Sequence, residues 1–311
     1  MSSLLIVLAS ACAVPADVGH ARGAIIDGRI AAESDVGATV ATLKDGTLDC
    51  SGTLVTARVV ITAAHCLLDD DWEALLPVSA LEVVVGAVDA TMAPEAQTYA
   101  VSLVWVSPEF PGDELSDVGL YDEHDIGAIV LSRDVTGVTP MPILSADEVE
   151  EQLAEGRMLQ IAGYGVKDRR GREDNTMLYV AELPLIERSD RELIAGEPDG
   201  VDTCDGDSGG PAWIDTGAGP RLVGVNSRSV DADREVCDTG SVFTLAPAYA
   251  AAIEAAIGEE MNGDGAVDPP PVERAPRTVG DGCSTAHGGD LDSPSLTLFF
   301  VFFALCARRL R

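Results

Sequence analysis

Gly206-Asp207-Ser208-Gly209-Gly210-Pro211 is a glycine-rich turn with a serine at its tip. Upstream, Thr62-Ala63-Ala64-His65-Cys66 follows the apolar run Val59-Val60-Ile61, and Asp125 opens the run Ile126-Gly127-Ala128-Ile129-Val130-Leu131. Taken singly, each has an ordinary explanation: a core histidine, an acid at a strand edge in an acid-rich chain, a turn serine. Taken together they supply the parts that one chemistry needs. A hydroxyl becomes a nucleophile when a base takes its proton and a carboxylate orients that base. The chain order His65, Asp125, Ser208 provides base, orienting acid and nucleophile.

Around these segments, short apolar runs at 59–61, 81–85, 126–131 and 222–225 are bounded by Gly, Asp, Ser and Pro. Short strands so spaced argue an all-β barrel or sandwich. The 31 glycines and 17 prolines among 311 residues fit a turn-rich chain. One helical signal stands out at 248–257, where Ala and Ile repeat at helical spacing. The length corresponds to one or two domains. A hydrophobic content of 46% excludes a disordered acidic chain. With 20 basic against 52 acidic residues the net charge is −32, which argues against nucleic acid as a partner. The excess carboxylate reads as a solubility device.

The TAAHC and GDSGGP segments, with Asp125 between them, resemble the trypsin-like (chymotrypsin-fold) serine protease family over residues 25–258. The resemblance implies two packed six-stranded antiparallel β-barrels with a C-terminal helix, and an active site in the cleft between the barrels. It implies an endopeptidase acting on proteins or peptides through an acyl-enzyme, with no cofactor and no metal. Ser208 would attack the scissile carbonyl. His65 would serve as general base and then as acid, while Asp125 fixes the imidazole tautomer. Backbone N–H groups of Gly206 and Ser208 would form the oxyanion hole, each worth about 3 kcal/mol at the transition state. The family's bridges imply Cys50–Cys66 around His65 and Cys204–Cys237 around Ser208. Metal binding is the alternative for these four, but their spacing matches no zinc pattern.

The resemblance also implies an activation step. Family members begin Ile-Val-Gly-Gly after a cleavage, and the freed amine pairs with the Asp before the nucleophile. Here Ile25-Ile26-Asp27-Gly28 and Asp207 are the equivalents. Ala24 precedes Ile25, so the activator would be a protease of other than trypsin-like preference. Asp202 falls at the base of the primary specificity pocket, where it would hold a substrate Arg or Lys. Ser227-Arg228-Ser229 stands where the family usually has Ser-Trp-Gly, and Gly240-Ser241-Val242-Phe243 replaces the usual Gly-Val-Tyr. Ser229 and Ser241 would narrow the pocket, and Arg228 would be placed to pair with Asp202. Cleavage after Arg or Lys is the expectation, with a small-residue preference as the alternative.

The ends read differently. Residues 1–24 look like a secretory signal and pro segment, with an apolar run at 4–9 and small residues after it. The 9–12 stretch also resembles a lipoprotein box that would lipidate Cys12. Residues 259–282 are Pro-, Gly- and Asp-rich, the composition of a linker. In 283–311, the apolar run 296–307 is followed by Arg308, Arg309 and Arg311. That run falls short of the ~20 residues that span a bilayer. With Gly282-Cys283-Ser284 it resembles the C-terminal sorting tag of myxobacterial surface proteins, which implies processing near Cys283. A weak permanent anchor is the alternative. Both place the protein outside the cytoplasm, secreted or attached to a bacterial envelope, and a monomer is expected.

Two other function classes compete. A catalytically dead relative that binds a partner typically loses the His or the Ser, and both remain here. An esterase or lipase also matches Gly206-Asp207-Ser208-Gly209-Gly210 as Gly-x-Ser-x-Gly. Those enzymes place Ser before His, and here His65 comes first.

Overall fold

In a computed structural model the described residues are 25–261 except 36, 113–118, 167–174, 197, 199, 232–236 and 238. The leader and pro segment read over 1–24, the linker beyond Met261 and the 283–311 tail lie outside the described residues. None of the described helices is long and apolar enough to cross a membrane.

The chain enters through a short strand, β1 (Arg29–Ile30). It then builds a first barrel from β2 (Thr39–Lys44), β3 (Thr47–Leu54), β4 (Val59–Thr62), β5 (Leu81–Val85), β6 (Thr98–Val106) and β7 (Gly127–Leu131). These close in the order β2-β3-β4-β7-β6-β5, every neighbour antiparallel. The β2–β3 hairpin turns on Asp45 (φ 51°) and Gly46 (φ 77°) between the paired Lys44 and Thr47. Two successive positive φ values match the right-handed twist of the flanking strands, and Asp-Gly is suited to them. β4 and β7 are buried along their whole length, so their sequences run apolar instead of alternating.

After a short helix, α1 (Val149–Gln152), the second barrel uses β8 (Met158–Gly163), β9 (Tyr179–Arg188), β10 (Glu192–Ala195), β11 (Pro211–Asp215), β12 (Pro220–Ser229) and β13 (Ser241–Leu245). The order β9-β10-β13-β12-β11-β8 closes through a β8–β9 pairing, and β1 adds to the outside of β9. The expected pair of six-stranded antiparallel barrels is what the chain forms. Closing both sheets leaves few open strand edges.

Each barrel fills its own interior. Val40, Leu54, Ile61, Val83 and Ile129 pack in the first, and Leu159, Ile161, Leu183, Leu193 and Phe243 in the second. Burying one such side chain contributes about 1.5–3 kcal/mol. The C-terminal helix, α2, spans Ala250–Met261 and lays Ile253 and Ile257 into the first barrel's cluster. It begins later than the 248–257 periodicity suggests because Pro247 sits in a 3-10 turn, Ala246–Ala248, ahead of it. It also runs to Met261, past the Gly258 boundary read from composition.

Candidate active site

His65 begins a single 3-10 turn, His65–Leu67, directly after β4. The Cys50–Cys66 disulfide ties that turn to β3. Cys50, Cys66 and His65 lie together, with their donor atoms within 4.8 Å of one another. Both sulfurs are used in the disulfide, so no thiolate is offered there to a metal.

Asp125, the residue before Ile126 and β7, is 0% exposed. Its Oδ2 lies 2.8 Å from His65 Nδ1, and its Oδ1 accepts the His65 backbone N–H at 3.1 Å. An ionised carboxylate is a pure acceptor, so Nδ1 carries a proton and, in the neutral ring, Nε2 keeps a lone pair. Ser227 Oγ donates to Oδ2 at 2.7 Å, and Thr244 Oγ1 donates to the Asp125 carbonyl at 2.9 Å. Burial by itself would favour neutral forms of both groups. The facing charge and the hydrogen bonds prevail, holding the Asp125 carboxyl below its ordinary range and the His65 imidazole above its own.

Ser208 sits on the turn between Cys204 and β11, and the Cys204–Cys237 disulfide anchors the start of that turn. Ser51 of β3 stitches it to the first barrel: its N–H donates to the Ser208 carbonyl at 2.8 Å, and its Oγ donates to the Gly206 carbonyl at 3.0 Å. Gly209 (φ 78°) passes so close to the first barrel that a Cβ there would lie 3.0 Å from the Ala63 nitrogen. Gly206 has φ 86°, and a Cβ on it would lie 3.0 Å from Gly165 Cα. These two glycines are required by close approach as much as by turn geometry. Among the described residues the N–H groups of Gly206 and Ser208 have no partner, and Ser208 Oγ makes no hydrogen bond to His65. Bonds of that kind are often long in free enzymes and tighten when substrate binds.

Asp202 is 0% exposed, and both its oxygens are occupied. Oδ1 accepts from Thr203 N–H at 2.8 Å and from Ser241 Oγ, while Oδ2 accepts from Thr239 N–H at 3.0 Å and Gly240 N–H at 3.1 Å. Burial pushes its carboxyl up. Ser229 pairs with Ser241 across β12–β13, while the Ser227 hydroxyl is turned to Asp125. The expected Arg228–Asp202 pairing does not form. Arg228 is bound instead to Glu192 on β10, at 2.8 and 3.2 Å, because the fork of its guanidinium meets a buried carboxylate there.

Ile25 is 0% exposed, and its backbone N–H is one of the groups that favour the ionised form of Asp207. Asp207 is 1% exposed and also accepts from Gly165 N–H at 2.9 Å and Cys204 N–H at 3.0 Å. Burial outweighs these hydrogen bonds and pushes its carboxyl up to about 7. A Cβ on Gly165 would lie 2.6 Å from Asp207 Cγ, so the glycine makes room for the carboxyl.

Several residues at this site carry no sequence signal that marks them. Ser51 is one strand serine among many, Thr244 lies in an apolar strand, and Glu192 is an acid in an acid-rich chain. Trp72 stacks on His65, with ring centroids 5.6 Å apart and planes 29° apart, and Phe110 flanks Trp72 at 6.1 Å.

Two closed barrels with His65 and Asp125 on one and Ser208 on the other have the architecture of the chymotrypsin fold. A family model described as Trypsin matches residues 25–253. The chain is 30% identical over 200 residues to "CLIP domain-containing serine protease B15" of Anopheles gambiae, covering 57% of this chain and 53% of that protein. It is 28% identical over 189 residues to "Phenoloxidase-activating factor 3" of Holotrichia diomphalia, covering 55% of this chain and 52% of that protein. It is 28% identical over 199 residues to "Trypsin" of Simulium vittatum, covering 58% of this chain and 70% of that protein. The chain thus spans about half the length of the first two relatives. It belongs to the trypsin-like serine protease family.

Proposed function

We propose that this protein is a secreted serine endopeptidase in which Ser208, His65 and Asp125 are the catalytic residues. The observation that carries the reading is the 2.8 Å contact between His65 Nδ1 and the buried Asp125 carboxylate. It leaves Nε2 as the free basic nitrogen, on a turn fixed beside the strand that holds the Ser208 loop. Nε2 takes the Ser208 proton as Oγ attacks the scissile carbonyl, and Asp125 stabilises the imidazolium that results. The unpartnered N–H groups of Gly206 and Ser208 receive the oxyanion. The imidazolium then protonates the leaving amine, and water repeats the sequence to release the acyl group. Fluorophosphonate labelling tests this: matured wild type should label and Ser208→Ala should not, and a wild type that never labels would defeat the reading in favour of a non-catalytic binding homologue.

Cleavage before Ile25 activates the chain, its ammonium supplying Asp207 with a cation. Asp202 receives a P1 Arg or Lys, since Arg228 is committed elsewhere and the Asp202 carboxylate has no cationic partner among the described residues. A second reading, preference for small P1 residues, is favoured by the Ser241 hydroxyl seated on Asp202 and by the full burial of that carboxylate. The C-terminal segment attaches the protein to the cell surface after processing near Cys283, and the protease domain acts as a monomer.

A further inference from the structure

Glu192 and Arg228 form an ion pair whose side chains are 0% and 8% exposed. The Glu192 carboxylate holds more than the arginine. Oε2 accepts the N–H groups of Tyr121 at 3.0 Å and Asp122 at 3.1 Å, and Oε1 accepts that of Glu123 at 3.1 Å. Arg228 closes from the other side, with Nη1 on Oε1 at 2.8 Å and Nη2 on Oε2 at 3.2 Å. Nη2 also reaches the Gly119 carbonyl at 3.0 Å. One carboxylate and one guanidinium therefore grip the segment 119–123, which leads directly into His124 and Asp125.

That segment needs a grip. Asp122 and His124 have φ values of 58° and 56°, a conformation L residues adopt at a cost, so surrounding contacts must impose it. The neighbours of the pair serve the same end. Thr244, which faces Glu192 across β10–β13, donates to the Asp125 carbonyl. Ser227, beside Arg228, donates to the Asp125 carboxylate. Ser189, in the turn before β10, donates to Asp122 Oδ1 at 2.6 Å and accepts the Glu192 N–H at 3.0 Å. On the far side, Tyr249 OH is 2.8 Å from His124 Nδ1, with Glu109 at 3.5 Å from the same nitrogen. Apolar side chains could fill the volume of a buried ion pair equally well for stability. They could not accept three successive N–H groups.

We propose that Glu192 and Arg228 are positioning residues, an ionic clamp on the second barrel that sets the place of Asp125 on the first and thereby the orientation of His65. This rests on the protease reading above. The arginine that replaces the usual aromatic in the substrate-binding strand thus turns inward to align the catalytic acid. The test uses the matured full chain and the variants Glu192→Gln, Arg228→Lys and the double change Glu192→Met with Arg228→Met. Peptide hydrolysis, the NMR titration of the His65 ring and thermal melting are followed for each. Glu192→Gln should lower kcat about a hundredfold, the cost of roughly 1 Å of misplacement, with KM little changed. The His65 titration should fall by about one pH unit as the Asp125 carboxylate loosens from the ring. Arg228→Lys, which keeps the charge but not the fork, should show the same changes at smaller amplitude, and carries the test if Glu192→Gln does not fold. The double change should bring melting back toward wild type while kcat and the titration stay depressed. An unchanged His65 titration in Glu192→Gln, or recovery of kcat in the double variant, would overturn the proposal. A wild type inert to fluorophosphonate defeats the protease reading alone, since the titration still decides the positioning.

Discussion

Ile25 is wholly buried, its backbone N–H favours the ionised form of Asp207, and its φ is 50°. A β-branched residue rarely tolerates that angle. A φ angle is defined only while a residue precedes, so this one ceases to exist once the bond before Ile25 is cut. On the proposed reading, cleavage there would relieve the backbone and place a positive charge against Asp207. Mass spectrometry of the active protein should therefore find Ile25 at the amino terminus, and an active form that retains Gly23-Ala24 would contradict this.

The uncleaved chain should be sensitive to pH in a direction fixed by Asp207. Its folded carboxyl is raised from 3.8 to about 7, so its favourable contribution is complete below about pH 4 and is lost as pH rises through 7. A shift of that size is worth on the order of 4 kcal/mol. Uncleaved Ser208→Ala protein should melt at a lower temperature at pH 8 than at pH 5. The form beginning at Ile25 should lose most of that difference, because the ammonium stabilises the ionised acid.

Activity should follow the protonation of His65. The Asp125 carboxylate raises the imidazole above its ordinary 6.5, so the acid limb of kcat/KM should lie above that value. Asp125→Asn should cost about 10⁴ in kcat by favouring the wrong tautomer. A pH–rate profile of both proteins is the measurement, and an acid limb below 6.5 in wild type would count against the assignment.

The P1 preference turns on Ser241. Its hydroxyl occupies Asp202 and also lies 2.7 Å from Thr203 Oγ1. Ser241→Gly should free the carboxylate and raise kcat/KM for Arg or Lys peptides over Ala peptides by about tenfold, an increment of roughly 1.4 kcal/mol. A peptide-library digest read by mass spectrometry measures this. If wild type cuts only after small residues and the variant does not move toward Arg or Lys, Asp202 is not a P1 partner.

Ser51 should matter to rate more than to binding. Its hydroxyl holds the Gly206 carbonyl and accepts Tyr164 N–H at 3.1 Å. Ser51→Ala removes both bonds, and losing the one that holds Gly206, worth about 1 kcal/mol, should lower kcat roughly fivefold. An equal rise in KM without loss of kcat would place its role in substrate binding instead.

The two barrels and the His65–Asp125 contact were legible because short local signals encode them. TAAHC and GDSGGP are tightly spaced, and β4 and β7 are buried throughout, so both are largely apolar instead of alternating. The partner of Arg228 was not legible. Which carboxylate it meets depends on how β10, β12 and β13 align, a non-local matter that leaves no periodicity in the chain. β1 has only two residues, too few for any pattern, and is a strand because β9 offers it an edge. Ser51 and Thr244 act through single hydroxyls, and nothing nearby distinguishes them from other strand serines and threonines.

His65 belongs to one barrel and Ser208 to the other, joined at the seam by bonds such as Ser51–Ser208 and Thr244–Asp125. On the proposed reading, neither half would hydrolyse a peptide alone. Slight parting of the halves should silence the enzyme while each sheet stays closed, so warming should abolish turnover several degrees before circular dichroism registers any loss of strand.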